Sequence, residues 1–334
     1  MSVARCGALE IMVTGTHHGV AEFALIDRIR ARVANRGDVI LGIGDDAALL
    51  QVPAGKHLVV ATDTLNAGVH FPHDTAPADI GWKSLAVNLS DLAAMAAEPA
   101  WCTLSLSLPE SDTGWLDGFL DGFLALAAQH RVALVGGDTT RGALSVCVTV
   151  HGLVEPGRAL LRTAARAGDD VWVSGTLGDA AAALDQWRLG AAHDEVLRTR
   201  LDRPTPRVAL GLALAGTAHA CIDISDGLMA DLGHVCRASG VAAELDLEAL
   251  PASEALRAAY EGEQRHALQA AGGDDYELCF TAPAGSLDDI ARLAAQAGTA
   301  VTWIGRIVAG EGVQVFDADG QAWLPSKVGY EHFG

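Results

Sequence analysis

The chain has 334 residues, half of them hydrophobic, so it is long enough for two domains with substantial cores. Its formal net charge is -19, from 42 acidic and 23 basic residues, which argues against nucleic acid as a partner because phosphate backbones attract basic surfaces. No apolar stretch is long enough to cross a membrane and no secretory signal pattern opens the chain, so we expect a cytoplasmic protein.

Hydrophobic periodicity predicts helices interspersed with strands in the first half of the chain. A helix is expected at 22–33, and a second at 79–97 is apolar except for Asn88, Ser90 and Asp91. The remaining predicted elements of this half are a helix at 115–129 and strands at 39–43, 58–62, 102–108, 132–135 and 145–150. A glycine-rich turn is expected directly after the strand at 132–135, and residues 1–18 are predicted to be an N-terminal extension outside the fold.

A Pro-Gly step at 156–157 and a following basic stretch mark the expected domain boundary. We therefore predict an N-terminal domain at 19–155 and a C-terminal domain at 156–334. The elements predicted in the second half are strands at 170–174, 220–224, 276–281, 301–304 and 313–316, and helices at 179–189, 206–215, 228–238 and 287–296. Because strands and helices do not alternate strictly, the pattern favours a mixed α/β or α+β protein over a simple doubly wound sheet.

Acidic residues follow several predicted strands and are flanked by glycine or hydroxyl residues. The five segments that share this pattern are 42–46, 62–64, 136–140, 223–227 and 272–275, and Asp91 is a sixth carboxylate within an apolar helix. Carboxylates near a core are costly without a counter-charge, and Mg²⁺ prefers oxygen ligands. The pattern indicates more than one divalent cation bridging phosphate groups. Each segment alone is also typical of a turn, and Asp226 could simply cap the helix that follows Gly227.

The common nucleotide and hydrolase motifs are missing from the sequence. It has no P-loop, no protein-kinase H-R-D or D-F-G segment, and no G-x-S-x-G segment. Lysine is scarce, with only Lys56, Lys83 and Lys327. Arg141 and Arg162 are the best candidates for cations that contact phosphate, because a guanidinium group can bind phosphate through two hydrogen bonds.

At these residues the sequence resembles the thiamine-monophosphate kinase family. The stretches that carry the resemblance extend over nearly the whole chain from about residue 19, and they are specific as an ordered set. They are 22–26, 42–48, 62–65, 86–95, 136–142, 222–228, 273–278 and 329–333.

The resemblance implies a two-domain fold shared with aminoimidazole ribonucleotide synthetase. In that fold an N-terminal domain with a mixed sheet and helices dimerises through its sheet, beside a C-terminal α+β domain. It also implies transfer of a phosphoryl group from ATP to thiamine monophosphate, giving thiamine diphosphate, by direct in-line attack with several Mg²⁺ ions. ATP and thiamine monophosphate would be the partners, within a homodimer.

The resemblance further implies roles for individual residues. Magnesium would be held by Asp46, Thr62, Asp63, Asp91, Asp138, Asp223 and Asp226. ATP would be contacted by Gly137, Asp138, Arg162 and Ser225. Thiamine monophosphate would be contacted by His70, Asp274 and Tyr330, and the catalytic carboxylates would be Asp46, Asp91, Asp138 and Asp223. Two positions depart from the family pattern: Asp274 stands where glutamate is usual, and Ala61 where a hydroxyl residue is frequent.

Two alternatives remain open at this point. The first is another enzyme of the same superfamily, namely aminoimidazole ribonucleotide synthetase, selenophosphate synthetase or a hydrogenase-maturation factor. The last would be expected to end in a reactive cysteine, whereas this sequence ends in His332-Phe333-Gly334. The second alternative is a protein that binds a nucleotide or thiamine phosphate without catalysis, and an assay for thiamine diphosphate formation would distinguish it.

Overall fold

A computed structural model of the chain describes residues 22–326 and 328–330. The first half contains a two-stranded ribbon and a four-stranded sheet. Its helices are α1 (Glu22–Arg30), α2 (Pro77–Ala94) and α3 (Thr113–Gln129). Its strands are β1 (Val39–Leu41), β2 (Leu49–Leu50), β3 (His57–Asn66), β4 (Glu98–Leu108), β5 (Ala133–Arg141) and β6 (Ser145–Val154).

The four-stranded sheet has two different faces. Its strand order is β3-β6-β4-β5, in which β4 and β5 are parallel and the other pairs are antiparallel. Side chains alternate between the faces, as strand geometry requires. The inner face is apolar, with Val146, Val148 and Leu104 in the main core beside α2 and α3. The outer face is more polar, and there Thr62 pairs with Thr149 across β3 and β6.

Helix α2 lies at the centre of the molecule. Pro77 opens it, which suits the first turn because proline lacks the N–H that would have no partner there. Thirteen of its 18 residues are buried, as expected for a helix that packs on several sides. It contacts α3 and the inner face of the first sheet, and it also contacts strands and helices of the second half. Polar residues on α2 are therefore placed between the two halves.

The second half is built on a seven-stranded sheet. Its strands are β7 (Asp169–Ser174), β8 (Ala220–Asp223), β9 (Ala242–Asp246), β10 (Leu278–Pro283), β11 (Val301–Val308), β12 (Gly312–Phe316) and β13 (Ala322–Trp323). Their order is β13-β12-β9-β11-β7-β10-β8, and only β9 and β12 are parallel. The helices are α4 (Asp179–Arg188), α5 (Glu195–Asp202), α6 (Val208–Leu214), α7 (Leu228–Ser239), α8 (Glu254–Ala259), α9 (Gly262–Ala271) and α10 (Leu287–Ala297), with a single 3₁₀ turn at Leu247–Ala249.

The mixed α/β architecture agrees with the sequence prediction, and the predicted boundary at 155/156 falls between β6 and β7. One local prediction is wrong: Gly136 and Gly137 do not form a turn after a short strand, because β5 continues through them to Arg141. The helices α5, α8 and α9 and the strands β2, β9 and β13 were not predicted. Within the described residues, no helix is both long and apolar enough to cross a membrane. The predicted extension at 1–18 lies outside the described residues.

Candidate functional site

Three of the predicted carboxylates converge where α2, β3 and β8 meet. The pKa of Asp91 is raised to about 8, chiefly by burial and then by the negative charges of Asp223 and Asp63. The pKa of Asp223 is raised to about 6, again chiefly by burial, with a further increase from the charge of Asp63. Burial also raises the pKa of Asp63. These mutual effects place the three side chains within electrostatic range of one another, and we call them the acidic cluster.

Local hydrogen bonds place the acidic cluster. The backbone N–H of Asp63 donates to Asn88 Oδ1 at 3.0 Å, which ties the edge strand β3 to α2 one turn before Asp91. The buried Ser90 hydroxyl lowers the pKa of Asp223, although it forms no hydrogen bond within the described chain. The Asn88 contact accounts for one of the polar residues that interrupt the apolar pattern of α2.

Arg162 supplies positive charge beside the acidic cluster. Leu161 forms a β-bridge with Ala220 at the start of β8, which brings the preceding loop against that strand. The guanidinium group of Arg162 lowers the pKa of both Asp91 and Asp223. Arg162 therefore lies within electrostatic range of the acidic cluster, and its contact with ATP stays a prediction.

The loop after β8 is held by a buried carboxylate that the sequence analysis did not identify. Asp231 Oδ2 accepts hydrogen bonds from the backbone N–H groups of Ser225, Asp226 and Gly227 at 3.0, 3.0 and 3.1 Å. The pKa of Asp231 is raised to about 7, chiefly by burial and then by the charge of Asp223. Three N–H groups converging on one oxygen fix the backbone from which Ser225 and Asp226 project. The sequence does carry a signal for this carboxylate, because Asp231 is an aspartate in the first turn of the helix that follows the S-D-G segment.

Two predicted substrate residues contact the same loop. The N–H of Asp274 donates to Ser225 O at 2.8 Å, and the N–H of Tyr330 donates to Asp226 O at 3.0 Å. Both Asp274 and Tyr276 have left-handed backbones, with φ of 68° and 49°. Non-glycine residues in this conformation carry strain that often accompanies function. The structure thus brings Ser225, Asp226, Asp274 and Tyr330 together.

The third predicted substrate residue, His70, lies in the loop after β3. The N–H of Asn66 donates to its Nδ1 at 3.0 Å. Its carbonyl oxygen accepts a hydrogen bond from the buried side chain of Lys83 on α2, at 2.9 Å. Lys83 also forms an ion pair with Asp274 at 3.2 Å, and so connects His70 to the second half of the chain.

Four predicted residues lie apart from the acidic cluster in a single chain. Thr62 is on the opposite face of β3 from Asp63, and its hydroxyl donates to Val148 O at 3.1 Å. Adjacent strand residues must face opposite sides, so the Thr62 side chain cannot join Asp63 as a ligand without a change in the strand. Asp138 is exposed opposite Ser105, on that same outer face, and its neighbour Gly137 belongs to the same strand.

Asp46 is the fourth predicted residue that lies apart from the acidic cluster, and it belongs to the exposed loop between β1 and β2. No hydrogen bond or ion pair within residues 22–326 and 328–330 joins Asp46 or Asp138 to the acidic cluster. Gly137 has a positive φ of 149°, and a Cβ atom there would lie 1.8 Å from Leu104 O, so strand packing already requires glycine.

The donors at the acidic cluster suit a hard cation. They are all oxygen atoms, which favours magnesium or calcium over zinc. In the described part of the chain, however, no three Asp, Glu, His or Cys side chains lie close enough to form a complete metal site. The mutual increase in pKa shows that the carboxylates repel one another, and a divalent cation would offset that repulsion.

The raised pKa values predict that the metal-free protein loses stability as pH rises. In the unfolded chain the Asp91 carboxyl group ionises near its ordinary pKa of 3.8. In the folded protein the same group keeps its proton up to about pH 8. The folded state therefore binds more protons over this range, so the free energy of unfolding should fall between about pH 4 and 8. Urea unfolding in EDTA at several pH values measures this trend. Asp91→Asn should make the fall shallower, and an unchanged slope would contradict the assignment.

Two family models and several known proteins are similar to this chain. Residues 44–154 match the family model of the AIR synthase related protein N-terminal domain, and residues 166–318 match that of its C-terminal domain. The thiamine-monophosphate kinase of Salmonella typhimurium is 47% identical over 319 residues, covering 93% of this chain and 98% of that protein.

Two solved structures are similar over almost the whole chain. The crystal structure of thiamine-monophosphate kinase from Stenotrophomonas maltophilia is 58% identical, with a TM-score of 0.85, covering 91% of this chain and 98% of that one. AaThiL complexed with AMPPCP and TMP is 35% identical, with a TM-score of 0.74, covering 93% of this chain and 97% of that one. The predicted two-domain fold is therefore confirmed.

Proposed function

The chain belongs to the thiamine-monophosphate kinase family, and from this premise we propose how its own residues transfer a phosphoryl group from ATP to thiamine monophosphate. The enzyme is a kinase that forms thiamine diphosphate and ADP. The AMPPCP in the AaThiL complex is an ATP analogue, which supports ATP as the co-substrate. The observation that carries the mechanism is the acidic cluster between the two halves of the chain, beside Arg162.

The proposed reaction is a direct in-line transfer. An oxygen atom of the thiamine monophosphate phosphate attacks the γ-phosphorus of ATP, and the bond from that phosphorus to the β,γ-bridging oxygen breaks as ADP leaves. The attacking oxygen is already anionic near neutral pH, so no strong general base is needed. The work of the protein is then to position two polyanions and to compensate their charge.

We propose that Asp63, Asp91 and Asp223 hold magnesium, with Asp226 beside them. Mg²⁺, when bound there, would neutralise charge on the phosphate oxygens that the carboxylates alone would repel. Arg162 and the Ser225 loop would orient the ATP phosphates, while Asp274, His70 and Tyr330 would face thiamine monophosphate. The roles predicted for Asp46, Thr62, Gly137 and Asp138 remain predictions, because a single chain does not bring these residues to the acidic cluster.

We also propose that the protein is a cytoplasmic homodimer. The outer face of the four-stranded sheet leaves Leu58 and Val60 exposed, by 45% and 55%, within the described chain. Exposed apolar residues on a sheet face favour association with another surface, and a second copy is the partner that the family resemblance implies.

Product analysis tests the proposed function directly. The purified protein with ATP, Mg²⁺ and thiamine monophosphate should form equal amounts of thiamine diphosphate and ADP. Chelation by EDTA should abolish this turnover, and added Mg²⁺ should restore it. Thiamine is the matched negative control, because it lacks the phosphate oxygen that attacks. Binding of both nucleotide and thiamine monophosphate without product formation would instead favour a non-catalytic binding protein.

A further inference from the structure

Lys83 is a buried lysine in the middle of an apolar helix. Its side chain is 1% exposed, and it lies on α2 two turns before Asp91. Burial of an ammonium group is costly unless it gains charged or hydrogen-bonding partners. Lys83 has two such partners, because its Nζ atom donates to His70 O at 2.9 Å and lies 3.2 Å from Asp274 Oδ1.

These two partners belong to distant parts of the chain. His70 follows β3 in the first half, whereas Asp274 precedes β10 in the second half. Both residues are proposed to contact thiamine monophosphate, and Lys83 is the side chain that connects them. Its ammonium group is therefore placed where it can fix the separation between the two substrate contacts.

Two donors hold the carboxylate of Asp274 in place. The hydroxyl of Tyr276 donates to Asp274 Oδ1 at 3.1 Å, and Lys83 Nζ approaches the same oxygen. Two donors on one oxygen restrain the rotation of the carboxylate group. A carboxylate held in this way complements the cationic ring system of a thiamine compound.

We propose that Lys83 is a positioning residue that orients Asp274 and the His70 loop for thiamine monophosphate. This inference rests on the proposed function and extends it to the way the acceptor substrate is recognised. Because the lysine is buried, it acts through Asp274 and His70 and does not contact the substrate itself. Fixing the contacts in advance lowers the cost of ordering them when the substrate binds.

A second carboxylate near Lys83 does not explain its burial equally well. The charge of Lys83 also lowers the pKa of Asp202 on α5. Asp202, however, already forms a 2.5 Å ion pair with Arg198 one turn earlier on the same helix. Asp274 forms no ion pair in the described chain other than that with Lys83. The specific partner of the lysine is therefore Asp274.

Lys83→Met tests the proposal, because methionine keeps the length of the side chain and removes its charge. We expect the KM for thiamine monophosphate to rise by about 10- to 100-fold, the usual effect of losing a hydrogen-bonded charge. The KM for ATP should stay within about two-fold, since the acidic cluster and Arg162 are retained. The urea midpoint should fall, because Asp274 and the His70 carbonyl oxygen lose their shared donor, so both KM values are measured at a temperature at which the variant is fully folded.

Two further variants make the test specific. Lys56→Met is the matched control, because Lys56 forms a surface pair with Glu155 at 3.4 Å, and it should change neither KM. In Asp274→Asn the partner is already neutral, so adding Lys83→Met should cause little further loss of thiamine monophosphate affinity. If Lys83→Met does not fold, Lys83→Gln is measured against the same criterion.

Equal increases in both KM values, or an unchanged KM for thiamine monophosphate, would overturn the positioning role. So would full additivity of Lys83→Met and Asp274→Asn. These outcomes differ from failure of the proposed function, which would appear as absence of thiamine diphosphate formation by the unaltered protein.

Discussion

Asp91→Asn is expected to lower the turnover number by about 10²- to 10³-fold, the usual effect of removing one electrostatic stabiliser from an active site. Asparagine has nearly the same shape, so α2 and its contacts should be retained. The change removes a carboxylate that bound Mg²⁺ would keep ionised, whereas in the metal-free protein burial, Asp223 and Asp63 raise the pKa of Asp91 to about 8. Steady-state rates of thiamine diphosphate formation at saturating substrates measure the effect.

A matched carboxylate on the surface provides the control for this experiment. Asp288 is exposed in the first turn of α10, far in sequence from the acidic cluster, and Asp288→Asn should have near-normal turnover. The Mg²⁺ concentration for half-maximal rate should rise in Asp91→Asn and stay constant in the control. Near-normal turnover and magnesium dependence in Asp91→Asn would refute the role assigned to the acidic cluster.

The elements with strong periodicity could be predicted from the sequence, and the weakly patterned ones could not. Helix α3 and strand β6 are examples of the first kind, since their apolar residues recur at the helical or the alternating spacing. The helix α5 contains mainly charged and polar residues, and its stability depends on a few buried side chains such as Leu197 and Leu201. Local pattern carries little information about such a helix, because tertiary contacts decide its formation.

Some residues of the candidate site could likewise be predicted from the sequence, and others could not. The carboxylates Asp63, Asp91 and Asp223 were predicted from chemistry and sequence resemblance, and the fold brings them together. Strand alternation could have indicated that Thr62 and Asp63 face opposite sides of β3, but the residue types alone suggested a shared role. Lys83 could not be identified, because a buried charge within a helix is indistinguishable from a solvated one until its partners in other parts of the chain are known. Asp231 did leave a local signal, since it lies in the first turn of the helix that follows the S-D-G segment.

Glu277→Gln is expected to lower the free energy of unfolding by about 3–5 kcal/mol, the usual range for breaking a buried ion pair. The Glu277 side chain is fully buried immediately before β10 and accepts hydrogen bonds from Arg200 at 2.7 Å and Arg207 at 2.5 Å. Ser174 also donates to it at 2.5 Å. Glutamine preserves the shape and removes the charge, so two partly buried guanidinium groups lose their shared partner. Urea unfolding monitored by tryptophan fluorescence measures the loss.

An exposed ion pair of the same chemistry separates this effect from a general loss of charge. Asp289 pairs with Arg292 at 3.0 Å on α10, where both side chains are more than half exposed. Asp289→Asn should change the free energy of unfolding by no more than about 1 kcal/mol, since exposed pairs are screened by water. A change in Glu277→Gln no larger than this control would show that the buried network does not hold α5 and β10 together.

The loss in Glu277→Gln should come mainly from the arginines left without a partner, and a double substitution can show this. Arg207→Met removes one of these cations and fills its space with an apolar side chain. If the penalty of unpaired charge dominates, Glu277→Gln combined with Arg207→Met should be no less stable than Glu277→Gln alone. Purely additive losses would instead mean that each hydrogen bond stabilises the fold independently. The network also immediately follows Tyr276, so a loosened Glu277 would release the left-handed segment that presents Asp274.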